Sequence, residues 1–232
     1  MKKLSGIFVL LALFVIFTGP KAAKVYGGPE GKIDKEIDLP IEKPKIKDIP
    51  EDEDDGPEFY GEDLSSDSDS LVFVVDFSCS MSGSRIAKAK AEVAKAINGL
   101  TKNFKFSVVT FSCDIMVWSQ QLKDATDTNK AAAAGWVSSQ STRGATGTGV
   151  AVKTALKLDT KNKLVVLLTD GAPNCLGSNY WATSNDHLNM IMSSNSQKAK
   201  IDVFAIQPWS GSYRSFCQKI AQQTGGKYKE VN

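Results

Sequence analysis

The stretch LVFVVDFSCS, Leu71 to Ser80, opens on five consecutive apolar residues and closes on three oxygen-bearing side chains. Four of the five are β-branched or aromatic, the composition of a strand buried on both faces near the centre of a parallel sheet. Asp76, Ser78 and Ser80 follow at alternate positions, just before Met81, Ser82, Gly83 and a long helical pattern. They therefore gather at the carboxyl end of the strand, the edge at which open α/β sheets bind ligands. Ser and Asp also cap helix starts, and these three residues alone do not separate the two uses.

Two further stretches shift the balance toward a site. Thr146 lies in STRGATGTGVAVKTAL, a Gly-rich loop entering a helix, and Asp170 lies in KLVVLLTDGAPN, a second buried strand that ends in a carboxylate and a turn. Hydroxyls and carboxylates thus converge from three strand ends. An oxygen-only set suits a hard divalent cation, magnesium first, with manganese or calcium as alternatives. Two carboxylates at most, with three neutral hydroxyls, leave such an ion electrophilic toward an outside anion.

Around these stretches, strand and helix patterns alternate. Helices are expected over 84–100, 128–139, 149–157, 185–194 and 213–223, and further strands over 105–111, 163–169, 201–207 and 227–231. Ile115 to Trp118 reads as a short edge strand, antiparallel because only the tight turn Ser112 to Asp114 precedes it. The alternation predicts an α/β fold, doubly wound and Rossmann-like, with helices on both faces of a mostly parallel six-stranded sheet and one antiparallel edge strand.

The amino-terminal part is different in kind. Residues 1–23 open with Lys2 and Lys3 ahead of an apolar run from Ile7 to Phe17, the layout of a secretory signal. The run is short of the roughly 20 residues that a spanning helix needs, but no small-x-small cleavage site stands out, so an uncleaved membrane anchor stays open. Residues 24–69 hold 16 acidic residues against 6 lysines, with prolines at 29, 40, 44, 50 and 57. That composition predicts a solvated, disordered linker, and its acidic run Glu51 to Asp55 lacks EF-hand spacing. Residues 70–232 form the expected domain, with 19 basic against 10 acidic residues. The surplus is scattered over Lys88, Lys90, Lys95, Lys157 and Lys198, which fits solvated helix faces better than a nucleic-acid surface.

With the five oxygen ligands in order, the sequence resembles the von Willebrand factor A domain family, whose metal-ion-dependent adhesion site has the pattern D-x-S-x-S, then a Thr, then an Asp. Here those positions are Asp76, Ser78, Ser80, Thr146 and Asp170. The resemblance covers Ser70 to Asn232, with TDG after a buried strand and TGG before the last strand as further matches. It implies a sheet order of 3-2-1-4-5-6 and a metal-dependent, adhesion-like module whose ion is completed by an Asp or Glu carboxylate of a partner protein.

Four cysteines in an exported chain favour pairing. The family's sheet order makes the first two strands neighbours, and likewise the fourth and fifth, so it implies bridges Cys79 to Cys113 and Cys175 to Cys217. Zinc fits poorly, since no C-x-x-C spacing occurs and His187 is the only histidine. A triad hydrolase lacks G-x-S-x-G, and Ser78 stands where a phosphatase-like acid partner of Asp76 belongs. No catalytic residue is assigned. A metal-dependent hydrolase and a structural domain with an idle site are the alternatives to a secreted, periplasmic or cell-surface binding module. Tyr180, Trp181 and Trp209, in loops near the metal edge, are candidate partner contacts, and His187 reads as an ordinary surface residue.

Overall fold

The computed structural model describes residues 57–64, 68–171, 173–177 and 181–232. The expected signal or anchor (1–23) and the linker up to residue 56 lie outside the described residues. The elements run β1 (Glu58–Phe59), β2 (Glu62–Asp63), β3 (Ser70–Asp76), a 3-10 turn (Cys79–Met81), α1 (Ser84–Gly99), β4 (Lys105–Phe111), β5 (Ile115–Val117), β6 (Lys123–Asp124), α2 (Asp127–Ser139), α3 (Thr148–Leu158), β7 (Leu164–Thr169), α4 (Ser184–Ser194), β8 (Lys200–Ile206), α5 (Gly211–Thr224) and β9 (Tyr228–Val231).

Alternation along β3 divides the core in two. Leu71, Phe73 and Val75 face one side of the sheet, with Ala89, Val93 and Ile97 of α1 and Val137 of α2. Val72 and Val74 face the other, with Val152 and Leu156 of α3, Ile191 of α4 and Ile220 of α5. Successive side chains of a strand point to opposite faces, so the continuous apolar run supplies both layers. The strand order β5-β4-β3-β7-β8-β9 is the expected 3-2-1-4-5-6. The pairs β4·β3, β3·β7, β7·β8 and β8·β9 are parallel, and β5 is antiparallel to β4. The sheet has seven strands rather than six, because β6 also pairs with β4 through Lys105–Asp124 and Phe106–Lys123.

The expected linker ends earlier than residue 69. Pro57 to Leu64 folds as a hairpin whose turn residues Tyr60 and Gly61 both have positive φ, 50° and 74°, as the two-residue hairpin turn I′ requires. Phe59 and Leu64 are fully buried. The Phe59 ring meets Phe204 edge-on at 4.7 Å and lies 5.8 Å from Phe73. Polar ties hold the hairpin in place: Tyr60 N donates to Glu92 Oε1 at 2.6 Å, and Lys229 Nζ reaches Glu62 Oε1 at 2.8 Å and Tyr60 O at 2.9 Å. Acidic neighbours disguise this segment in the sequence, but two large apolar side chains suffice to dock it where the α1 layer leaves β3 and β8 open.

The cysteine pairing also differs from the expectation. Cys113 is bonded to Cys175, with Cα atoms 5.6 Å apart, while Cys79 is an exposed thiol and Cys217 a buried one. Strand adjacency misleads here because the bridge is made by loops. β4 and β7 flank β3, and the loops that follow them lean together across its end, while the 3-10 turn leaves Cys79 facing solvent. Cys217 points into the core from α5, where burial, then the charges of Asp170 and Asp76, push its thiol up to about 12.

Two outcomes follow. Phe59→Ala should lower stability by about 3 kcal/mol, whereas Glu62→Ala, at a partly exposed pair, should cost far less; urea midpoints measure both. Peptide mapping without reductant should return the Cys113–Cys175 bridge, with Cys79 alkylated in the native protein and Cys217 only after unfolding.

Candidate functional site

Val75 pairs with Leu168 in register, so one step further along the two strands Asp76 comes beside Thr169. Both are fully buried. The Thr169 hydroxyl donates to Asp76 Oδ2 at 2.6 Å and accepts from Gly171 N at 3.1 Å, while Asp76 Oδ1 accepts from Ser78 N at 2.8 Å. Asp76 thus ties its own loop, at Ser78, to the end of β7, at Thr169.

The capping use of the serines is not realised. Neither the 3-10 turn nor α1 has a side-chain cap, and α1 is preceded by Gly83. Ser78 Oγ instead lies 3.0 Å from Ser80 Oγ. The loop is held by its backbone, Cys79 N to Gly144 O at 3.1 Å and Arg143 N to Phe77 O at 2.7 Å.

The Thr146 loop is fixed from the other side. Thr146 N donates to Asn174 Oδ1 at 2.9 Å, and Thr146 O accepts from Asn174 N and Cys175 N. Gly147 then threads between two loops that the disulfide joins. A Cβ there would stand 2.6 Å from Ser112 O and 3.3 Å from Cys175 O, so no larger residue fits. Ser78, Ser80 and Thr146 line one cleft of roughly 380 Å³ together with Asn174, Trp209 and Tyr213.

Electrostatics around Asp76, two residues before Ser78 of this cleft, are unbalanced. Asp170 is fully buried, and neither carboxylate oxygen has a hydrogen-bond partner among the described residues. Burial, then the charge of Asp170, push the Asp76 carboxyl up to about 7, against the pull of its bonds from Ser78 and Thr169. Two buried carboxylates within Coulomb reach of each other are unfavourable unless a cation or proton joins them. Among the described residues no three His, Cys, Asp or Glu side chains gather into a metal cluster. The five positions expected from the sequence offer two carboxylates and three hydroxyls, a set that would fit a hard divalent ion better than a softer one.

Residues 69–230 match the von Willebrand factor type A domain family. The chain belongs to that family. Mouse inter-alpha-trypsin inhibitor heavy chain 4 is 28% identical over 184 residues, 75% of this chain and 19% of that protein's length. The chain thus spans about a fifth of that relative. The pilus adhesin SpaC of Lactobacillus rhamnosus GG shares the fold at a TM-score of 0.59 and 18% identity, over 70% of this chain and 28% of that one. Proximal thread matrix protein 1 of the mussel byssus, with a zinc-occupied MIDAS motif, does so at 0.52 and 20% identity, over 69% of this chain and 41% of that one.

Of the candidate partner contacts, Trp209 lines the cleft and is 66% exposed, Trp181 is 91% exposed, and Tyr180 lies outside the described residues. Thr169 and Asn174 were not assigned roles from the sequence. Thr169 was legible in principle, as a hydroxyl closing a wholly apolar strand just before Asp170.

His187 is not a surface residue. It is fully buried on α4, with Nδ1 accepting from Gly149 N at 3.0 Å and Nε2 unpartnered. Burial outweighs the nearby Asp186 charge and lowers its pKa to about 4. The folded state thus binds this proton less readily than the unfolded chain, and stability falls as pH drops from about 6.5 to about 4. The full loss is on the order of 3 kcal/mol. Asp76, raised in the fold, acts in the opposite sense. The measurement is therefore a comparison of His187→Asn with the unaltered chain, which share Asp76: the variant should lose less stability across that window in chemical denaturation.

Proposed function

We propose that this domain is a metal-dependent protein-binding module, with the ion held by Asp76, Ser78, Ser80, Thr146 and Asp170. The observation that carries the reading is Asp170, a buried carboxylate with both oxygens unpartnered beside a second buried carboxylate. Family membership and the zinc-occupied MIDAS motif of the byssal protein support it. Magnesium is the ion the donor set fits best, with manganese or calcium as substitutes.

Each residue has a distinct task. Asp76 and Asp170 supply the negative charge, and Thr169 holds Asp76 through its hydroxyl. Ser78, Ser80 and Thr146 bring neutral oxygens to the cleft wall. Bound there, the ion would supply an electrophilic coordination position for an Asp or Glu carboxylate of a partner protein. Binding rather than hydrolysis is the proposed role, because the sole histidine is buried, its Nδ1 engaged with Gly149 N, and so offers no base to the cleft. An exported or surface-attached protein is the setting that accords with the disulfide and with the pilus adhesin's shared fold.

Calorimetry with magnesium should show one site in the unaltered chain and none in Asp76→Ala. Asp170→Asn separates the charge argument from general damage. With chelator present it should raise stability by about 1–3 kcal/mol, because it removes a buried unpaired charge, yet it should abolish the stabilisation that added magnesium gives the unaltered chain. Equal magnesium binding by all three proteins would overturn the assignment.

A further inference from the structure

The cleft has a polar floor and one aromatic wall. Trp209 is the wall's outer element, two-thirds exposed, its ring meeting Tyr213 edge-on with centroids 5.0 Å apart. Such a ring on a free loop would be adaptable, but the segment that carries this one is anchored on both sides of it. Ser210 caps α5 by accepting from Tyr213 N at 3.3 Å. Gln207, at a φ of 42°, turns the chain out of β8, and its N–H donates to Val231 O at 2.9 Å. Tyr213 itself is seated on the turn that follows Asp170. Gly171 has a φ of 85°, and a Cβ there would lie 3.0 Å from Tyr213 Cβ and 3.1 Å from Tyr213 O.

Arg85 ties this aromatic segment to the first metal loop. Its Nη1 donates to Ser80 O at 2.9 Å and its Nε to Gln207 Oε1 at 3.3 Å. The Trp209 segment is thereby fixed relative to Ser80 on one side and to Asp170 on the other. A preorganised aromatic loses little conformational freedom on binding, and Trp, Tyr and Arg are the residues that most often dominate interface energies.

Resting on the ion-site reading above, we propose that Trp209, backed by Tyr213, is the specificity wall of the cleft, and that it selects a protein segment in which an Asp or Glu is followed directly by an aromatic residue. The carboxylate enters toward the polar floor and the neighbouring ring packs on the indole. Charge favours an acidic segment: the Arg85 guanidinium stands at Ser80 of the cleft. The domain as a whole carries 19 basic against 10 acidic residues. A cleft of roughly 380 Å³ has room for about two side chains rather than for a long stretch of polymer.

The test uses the full chain saturated with magnesium and the peptides acetyl-Gly-Asp-Phe-Gly-amide, acetyl-Gly-Asp-Ala-Gly-amide and acetyl-Gly-Asn-Phe-Gly-amide, titrated by NMR, with a glucuronate-containing oligosaccharide alongside. The Asp-Phe peptide should bind about tenfold more tightly than Asp-Ala, and the Asn-Phe peptide should not bind. In Trp209→Ala the first two peptides should bind alike, while magnesium affinity, measured by calorimetry without peptide, stays unchanged. Equal binding of Asp-Phe and Asp-Ala by the unaltered chain, or a preference that survives in Trp209→Ala, overturns the proposal. Tighter, Trp209-dependent binding of the oligosaccharide than of any peptide overturns it in favour of a glycan. A drop in magnesium affinity in Trp209→Ala overturns it by making Trp209 part of the ion site. Failure of the unaltered chain to bind magnesium removes the ion-site reading itself, and calorimetry without peptide reveals that separately.

Discussion

The hydrogen bond from Thr169 to Asp76, 2.6 Å long and wholly buried, is the contact on which the upper edge of this sheet depends. It joins the ends of two adjacent parallel strands, and through Gly171 N and Ser78 N it extends into both loops beyond them. Those loops carry every carboxylate of the candidate site. Placing a negative charge in the core is costly, and three hydrogen bonds converging on one carboxylate and one hydroxyl only partly offset it. Asp170, without a hydrogen-bond partner among the described residues, makes the edge electrostatically incomplete. Two buried carboxylates within Coulomb reach, at the place where the family's adhesion site would lie, are an arrangement typical of functional sites.

Much of this was readable from the chain. The central strands announce themselves as β-branched runs buried on both faces, and the helices by their apolar periodicity, so the order of the sheet followed. The meeting of Ser78, Ser80 and Thr146 at one cleft was readable too, because strand ends in an open α/β sheet converge wherever the chain is wound on both sides. What escaped notice depends on tertiary placement. Phe59 and Leu64 sit among Glu58, Glu62 and Asp63, and local composition gives no hint that a neighbouring layer is open to receive them. His187 shares its helix with polar neighbours, but packing of α3 against α4 turns it inward.

The cysteines show the same limit most clearly. Adjacent strands suggested adjacent thiols, yet the loops beyond strand ends do not continue in the strands' direction. The Ser112 to Asp114 turn and the segment at Asn174 and Cys175 both bend toward Gly147, which accepts their close approach because it lacks a side chain. Sequence order fixes where strands lie far better than where the loops above them lean.

That bridge has a further consequence for the intact molecule. Cys113 and Cys175 are 62 positions apart, and the closed circuit between them contains β5, β6, α2, the Thr146 loop, α3 and β7. A protease that cut any exposed loop within the circuit would leave two pieces still covalently joined. Such a cut would leave the Thr146 loop attached to the fold, so the oxidised chain can survive nicking with the cleft edge in place.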